Sequence, residues 1–235
     1  MNIDSSTIAF MKNAVITAKL AGIENLIIQR DRVRGTNEQR TAILLHENNI
    51  PNLPFDSIGL SRIDIFLTRL ELVQPLKNFE MTFCLSDDKQ FVRSLDMRAK
   101  NVSVNYRCAN PTTIQAPKSF KDSIKYKLNM SPEALLLISK GAGAMGGADD
   151  IIIKTNKNKV EVTIEDITND ALTFDLDTNP EVIEGNSLEH FSYKFPIKMI
   201  LPLLKQNSGG DFFLTARGIL KINVNGLDFY IPRKD

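Results

Sequence analysis

The feature that most restricts how this chain can fold is a pattern that runs through it four times: a chain end or a strand leads into one helix, and about three strand-like runs follow. Ile8, Met11, Val15 and Ala18 recur at helical spacing behind Ser5 and Ser6, two residues suited to capping, and this first helix ends near Gly22. "ENLIIQR", "RVRGT", "RTAILLHE" and "SIGLS" then read as strands. A second helix follows on Phe66, Leu67, Leu70 and Val73 with Asp64 as its cap, and "NFEMTFCLS", "QFVRSLDMR" and "NVSVNYRC" are strands again. After "ANPTTIQAPKSF" the order restarts. "IKYKLN" is a strand, and "MSPEALLLISK" is a helix with Ser131 as N-cap and Pro132 in first position. "DIIIKT", "KVEVTIE", "ALTFDLD" and "EHFSYKF" precede a fourth helix on Ile197, Ile200, Leu201 and Leu204, and "DFFLTA", "ILKINV" and "LDFYI" finish the chain. The repeat predicts an α+β protein of two similar domains, 1–108 and 121–235, each with two helices packed on antiparallel sheets, joined by a strap over 109–120.

Several function classes are disfavoured early. No apolar run approaches the roughly 18 residues of a membrane span, and "MNIDSSTIAF" lacks the pattern of a signal peptide, so a cytoplasmic protein is expected. Two cysteines, Cys84 and Cys108, are too few and too far apart for a zinc cluster or a disulfide framework. A net charge of +1 means that any contact with a polyanion must come from charge segregated onto one face.

"GAGAMG", residues 141–146, matches a dinucleotide fingerprint, but in the wrong order: the glycines follow a helix ending at Lys140 and precede a strand, so a helix stop and turn is expected. Asp149, Asp150, Glu165 and Asp166 form the one carboxylate set that could hold magnesium for phosphodiester cleavage, though nothing in their spacing fixes a geometry. His46 and His190 are not spaced as ligands of one site, and no nucleophile stands in a recognisable setting; no catalytic residue, metal or cofactor is expected. The charge distribution says more. Between Val160 and Tyr193 there are nine acidic residues and no Lys or Arg, whereas the helices carry bases: Lys12 and Lys19, Arg69, Lys140, Lys198 and Lys205. Residues seven apart lie about 20° apart around a helix and about 10.5 Å along it, so each lysine pair forms a short ridge beside its apolar stripe. Arg62 and Lys77, at the margins of the second helix, are lesser members of the set.

With these residues in view the chain resembles the DNA-polymerase sliding clamps. "CANPTTIQAPKSF", the strand after it, "MSPEALLLISKG" and "DDIIIKTNKNKVEVTIED" resemble the connector and second-domain opening of T-even-type phage clamps. "STIAFMKNA" through "DRVRGT" resembles that clamp's first helix and following strands, and "FYIPRKD" is similar to the carboxyl end of cellular clamps such as proliferating cell nuclear antigen. The likeness runs in order along the whole chain.

The resemblance implies a DNA-clamp fold and a homotrimeric ring around duplex DNA that acts as a processivity factor, with the replicative polymerase and a clamp loader as partners. Lys12, Lys19, Arg69, Lys140, Lys198 and Lys205 would face the bore without reading sequence. Two different strands would join subunits head to tail: one with Arg98, Lys100 and Arg107 on or beside it, the other with Asp170, Asp175 and Asp177. Ile114, Ala116 and Pro117 of the strap, with Ile231 and Pro232 after the last strand, would bound an apolar pocket for partner peptides. The alternatives are a metal-dependent nuclease using the carboxylates above and a phage structural protein.

Overall fold

The computed structural model describes residues 1–117, 119–166, 168, 170–176, 178–185, 187–205 and 210–234. The chain forms two compact units, Met1–Ser119 and Phe120–Asp235.

In the first unit α1 (Ser5–Leu20) leads to β1 (Asn25–Gln29), β2 (Val33–Thr36), β3 (Ile43–His46) and β4 (Ser57–Ser61); α2 (Ile63–Val73) leads to β5 (Glu80–Leu85), β6 (Val92–Ala99) and β7 (Val102–Arg107). The strands lie in the order β3-β2-β1-β4, and β4 meets β6 in parallel at Ile58 and Val92. β6 carries β5 and β7 as antiparallel neighbours. α1 is capped by Asp4, whose carboxylate accepts from Thr7 N at 2.8 Å, rather than by Ser5 or Ser6. The Ser6 and Thr7 hydroxyls also donate to that carboxylate, and these bonds lower its pKa to about 2. Asp64 is not a cap either. It lies in the first turn of α2, and Arg62 holds the N-cap in a left-handed conformation with no side-chain bond. What fixes this end is tertiary: Ile63 N donates to Glu24 O, and Phe66 meets the ring of Tyr106 edge-on at 5.3 Å. The core is mainly apolar, with Met11, Ala14, Val15, Leu26, Ile28, Leu44, Phe66, Leu70 and Leu95 buried; burial of this kind supplies the main driving force for the fold.

In the second unit β8 (Ile124–Met130) precedes α3 (Pro132–Ala144), and β9 (Asp150–Asn156), β10 (Lys159–Glu165), β11 (Ala171–Asp175), a two-residue β12 (Glu181–Val182) and β13 (Ser192–Pro196) follow. α4 (Ile197–Leu204) then leads to β14 (Gly210–Thr215), β15 (Ile219–Val224) and β16 (Leu227–Pro232). Two sheets result within the unit, β12-β8-β14-β15-β16 and β11-β10-β9-β13. Ser131 accepts from Ala134 N at 3.1 Å and Pro132 opens α3, as the sequence predicts. The helix does not stop at Lys140, however. It runs on through "GAGA" to Ala144, and Gly141 is buried inside it because a Cβ there would overlap Leu172 Cδ2 of β11. The glycine permits helix and sheet to approach and leaves the fingerprint without a helix N-terminus.

The repeat read from the sequence is thus the fold's own repeat: β3-β2-β1-β4 in the first unit corresponds to β11-β10-β9-β13 in the second. Where the second unit has β8 along β14, the first has only its opening residues beside β5, with Ile3 N donating to Met81 O and Phe83 N to Met1 O. No helix among the described residues is long and apolar enough to cross a membrane.

Candidate nucleic-acid interface and docking surfaces

The six predicted basic residues are all on or at the ends of the four helices, but their surroundings differ. Lys12 is half-buried and donates to Gln74 Oε1 at 3.0 Å, and Lys19 is exposed and paired with Asp64 of α2 at 2.6 Å. α1 and α2 are therefore laced together by the residues expected to face a ligand. Arg69 points along α2 to β7, where Nη1 donates to Asn105 O at 2.9 Å and the guanidinium lies 6.0 Å from the Tyr106 ring centre. Lys198 pairs with Asp149 at 2.7 Å; that bond raises the lysine's pKa and lowers the aspartate's. Lys140 and Lys205 are exposed and make no ion pair among the described residues. Exposed pairs such as Lys19–Asp64 and Lys198–Asp149 are screened by water, so a phosphate can take the carboxylate's place.

The carboxylates singled out in the sequence do converge. Asp149, Asp150, Glu165 and Asp166 border one shallow cavity of about 180 Å³ at the end of β9 and β10. Yet bases already occupy it: Lys198 binds Asp149, and Asp150 pairs with Lys194 at 3.9 Å and with Lys234. Among the described residues no three His, Cys, Asp or Glu side chains gather as a metal site. Lys194 and Lys234 were invisible as partners in the sequence because they arrive from β13 and from beyond β16, 44 and 84 residues from Asp150.

Two strand edges stand out. Among the described residues β7 pairs only with β6, and β11 only with β10. Arg107 lies on β7, Arg98 on the neighbouring β6 opposite Ser103, and Lys100 in the turn between the two strands at φ 48°; all three are exposed. Asp175 lies on β11, exposed and 3.6 Å from Lys159, and Asp170 just before that strand with its N–H donating to Asp166. Asp177 lies outside the described residues. The sequence reading missed the apolar companions of these edges. Leu72 on α2, Leu76 just beyond it and Val102 on β7 are exposed, as are Leu136 and Leu137 on α3. Leu72 and Leu76 share the α2 face of Arg69, which reaches β7, and Leu137 precedes by one turn the Gly141 that touches β11. Apolar residues at positions 69 to 76 and 136 to 137 that overfill a single helical stripe were the available signal.

The strap packs on the first unit. Asn110 caps a single turn, Pro111–Thr113, and Ala109 bonds Gly59 so closely that a Cβ at Gly59 would meet Ala109 O at 2.5 Å. Ile114 is half-buried and folded toward Gly59 as well, with Cδ1 3.0 Å from that same point. Ala116 and Pro117, with Thr36, Arg40, Ile43 and Gln115, border a cavity of about 280 Å³. Ile231 and Pro232 are not a tail: β16 extends through both, and Ile231, paired with Leu220, is fully buried. The residues that leave the last strand are Arg233, stacked 5.4 Å from the Tyr193 ring centre, and Lys234, bonded to β13.

In fold, the chain is similar to solved DNA sliding clamps. No protein-family model matches the sequence, and no curated protein matches it. Solved structures do match in fold. The proliferating cell nuclear antigen of Entamoeba histolytica superposes with a TM-score of 0.66 at 14% identity, covering 97% of this chain and 96% of that one. The A. fulgidus PCNA, in a structure with the C-terminal region of FEN-1 bound, gives 0.64 at 14% identity over 96% and 95%. A putative DNA polymerase III beta subunit from Eubacterium rectale gives 0.64 at 13%, covering 96% of this chain and 64% of that longer one.

Proposed function

We propose that this protein is a sliding clamp: a non-enzymatic ring that encircles duplex DNA and tethers the replicative polymerase. The observation that carries the reading is the pair of dissimilar edges. An edge strand flanked by Arg98, Lys100, Arg107 and exposed leucines suits a second edge strand flanked by Asp170 and Asp175 and its own exposed leucines. Two different complementary edges on one subunit make a head-to-tail contact, which closes into a ring when the rotation allows. Three copies, two domains each, would give the homotrimer that the sequence resemblance implies.

In such a ring the helices' bases act on phosphates only. A few exposed lysines, some of them exchanging an intramolecular partner for a phosphate, hold DNA weakly and without sequence preference, so the ring can slide. Encirclement, not affinity, then supplies processivity. The cavity at Ile43, Ala116 and Pro117 is the candidate dock for polymerase and clamp loader, in keeping with the FEN-1 region bound to the A. fulgidus protein. Burying two or three anchoring side chains there gives roughly 1.5 to 3 kcal/mol each before ordering costs, which suits an exchangeable micromolar partner.

The test is primer extension by the replicative polymerase of the same source, with its loader, on closed circular and on linear primed templates. A clamp increases product length on the circle and loses that effect when the DNA is cut. Equal stimulation on both templates, or nicking by the purified protein in magnesium, refutes the reading.

A further inference from the structure

A second cavity, of about 270 Å³, lies beside the strap's first half, lined by Arg34, Ser57, Gln29, Gln90, Asn110 and Thr112. It is as large as the Ala116–Pro117 cavity, and the hydrogen-bonding capacity of its polar side chains is incompletely used. Arg34 donates from Nη2 to Gln29 Oε1 at 2.9 Å and from Nη1 to Pro117 O at 3.3 Å, while its Nε is buried without a partner. Ser57, more than nine-tenths buried, has an unpartnered hydroxyl as well. Buried polar groups are nearly always bonded, so two orphans around one cavity call for a ligand that would bond them. Arg34 makes no ion pair among the described residues, and burial, with Arg32 nearby, pulls its pKa below the ordinary arginine value. Such a guanidinium gains from an anion.

The chemistry of the anion can be narrowed. There is one guanidinium, which matches one negative charge, and Asp88 at the rim, bonded to Ser86 and to Gln90 N, repels a dianion. Phe91 supplies an apolar wall for a carbon stem. A planar carboxylate can take the Nε–H edge of the guanidinium bidentately, and Ser57 can donate to it. Neither Nε nor the serine oxygen is exposed to solvent, so a ligand reaches them by rotation of side chains.

We propose that this cavity is a carboxylate-binding subsite for an acidic side chain or free C-terminus of a protein segment lying along Asn110–Thr112. Its use by a docking partner rests on the clamp reading; the carboxylate affinity does not. The experiment follows the backbone amides and the Arg34 Nε–H by nuclear magnetic resonance while acetyl-glutamate amide, acetyl-alanine, acetyl-glutamine amide and inorganic phosphate are added separately. Binding on the order of 10 mM is expected for an isolated carboxylate. Shifts at Arg34 Nε–H and at Gln90, Asn110 and Thr112 with either carboxylate, but not with the glutamine probe, are the expected result. The stronger of the two carboxylates identifies the source as side chain or terminus. Ser57→Ala should weaken this binding several-fold and Arg34→Lys about tenfold or more, the amide spectrum otherwise unchanged. A Ser57→Ala protein that binds as the parent does, phosphate binding more tightly than either carboxylate, or no shift with any probe overturns the proposal. If the probes bind but polymerase extension is unaffected by Ser57→Ala, the subsite stands and its role in docking does not.

Discussion

The free edge of the first unit and that of the second differ in sign although the units share one plan. β7 is flanked by Arg98, Lys100 and Arg107, and β11 by Asp170 and Asp175, and each has leucines of a neighbouring helix exposed beside it. Like edges meeting would place like charges together; unlike edges complete each other. In the ring proposed above, the difference between these two edges would give each joint its polarity. The largest expected effect comes from erasing the difference. Asp170→Lys with Asp175→Lys leaves both edges basic, and Leu137→Asp adds a charge to the apolar patch; the triple variant should sediment as a 26.4 kDa monomer. An assembly that survives at micromolar concentration means that the joints lie elsewhere.

The units also differ in how closely helix and sheet approach. α1 presents the small side chains of Ala14 and Ala18, both fully buried, whereas α3 presents Gly141 against Leu172 and Ile164. Gly141→Val should therefore destabilise the second unit by about 1 to 3 kcal/mol in denaturant unfolding. Gly143, on the same helix with open space around it, should behave oppositely, Gly143→Ala adding about 0.5 to 1 kcal/mol. Equal effects at the two positions would mean that the helix ends before Gly141.

How much of this was legible in the sequence follows the range of the interactions. The four-fold order of elements and the Ser131–Pro132 cap are local patterns, and they read correctly. Three local readings failed because a distant residue decided them. Asp64 serves Lys19 instead of capping α2. "GAGA" stays helical because β11 needs the room. Ile231 belongs to the core because Leu220 pairs with it. The sequence names the basic set only as candidates, and which bases are already partnered is tertiary information; so are the lysines that neutralise Asp149 and Asp150, and the Arg34 cavity.

That distinction among the bases gives a smaller effect. In the second unit Lys140 and Lys205 have no acidic partner among the described residues, whereas Lys19 and Lys198 each surrender a carboxylate before meeting a phosphate. If the clamp reading holds, Lys140→Ala with Lys205→Ala should reduce the salt slope of DNA binding by about one per lysine. Lys19→Ala with Lys198→Ala should reduce it less, because each of these lysines is already partly neutralised by its own aspartate and displaces fewer counterions from DNA. Identical slopes for the two double variants would show that the intramolecular pairs do not persist in solution.

The smallest contrast is between the helix caps. α1 is capped by a carboxylate, Asp4, and α3 by a hydroxyl, Ser131, so only the first should depend on acid. Hydrogen bonds from Ser6 and from Thr7 hold the Asp4 pKa at about 2, below its ordinary value near 3.8. A pKa lowered by folding contributes stability that is complete above the ordinary value and is lost as the pH falls through the folded one. Asp4→Asn, which can still cap but cannot titrate, should therefore differ from the parent above about pH 4 and converge with it toward pH 2. Ser131→Ala should cost about 1 kcal/mol at every pH. Hydrogen exchange at the first-turn amides of α1 and α3 reads the two ends separately. Protection at α1 that falls with pH in the parent but not in Asp4→Asn, beside constant protection at α3, is the expected pattern; acid loss at both ends alike would place the sensitivity in the unit as a whole and not in its cap.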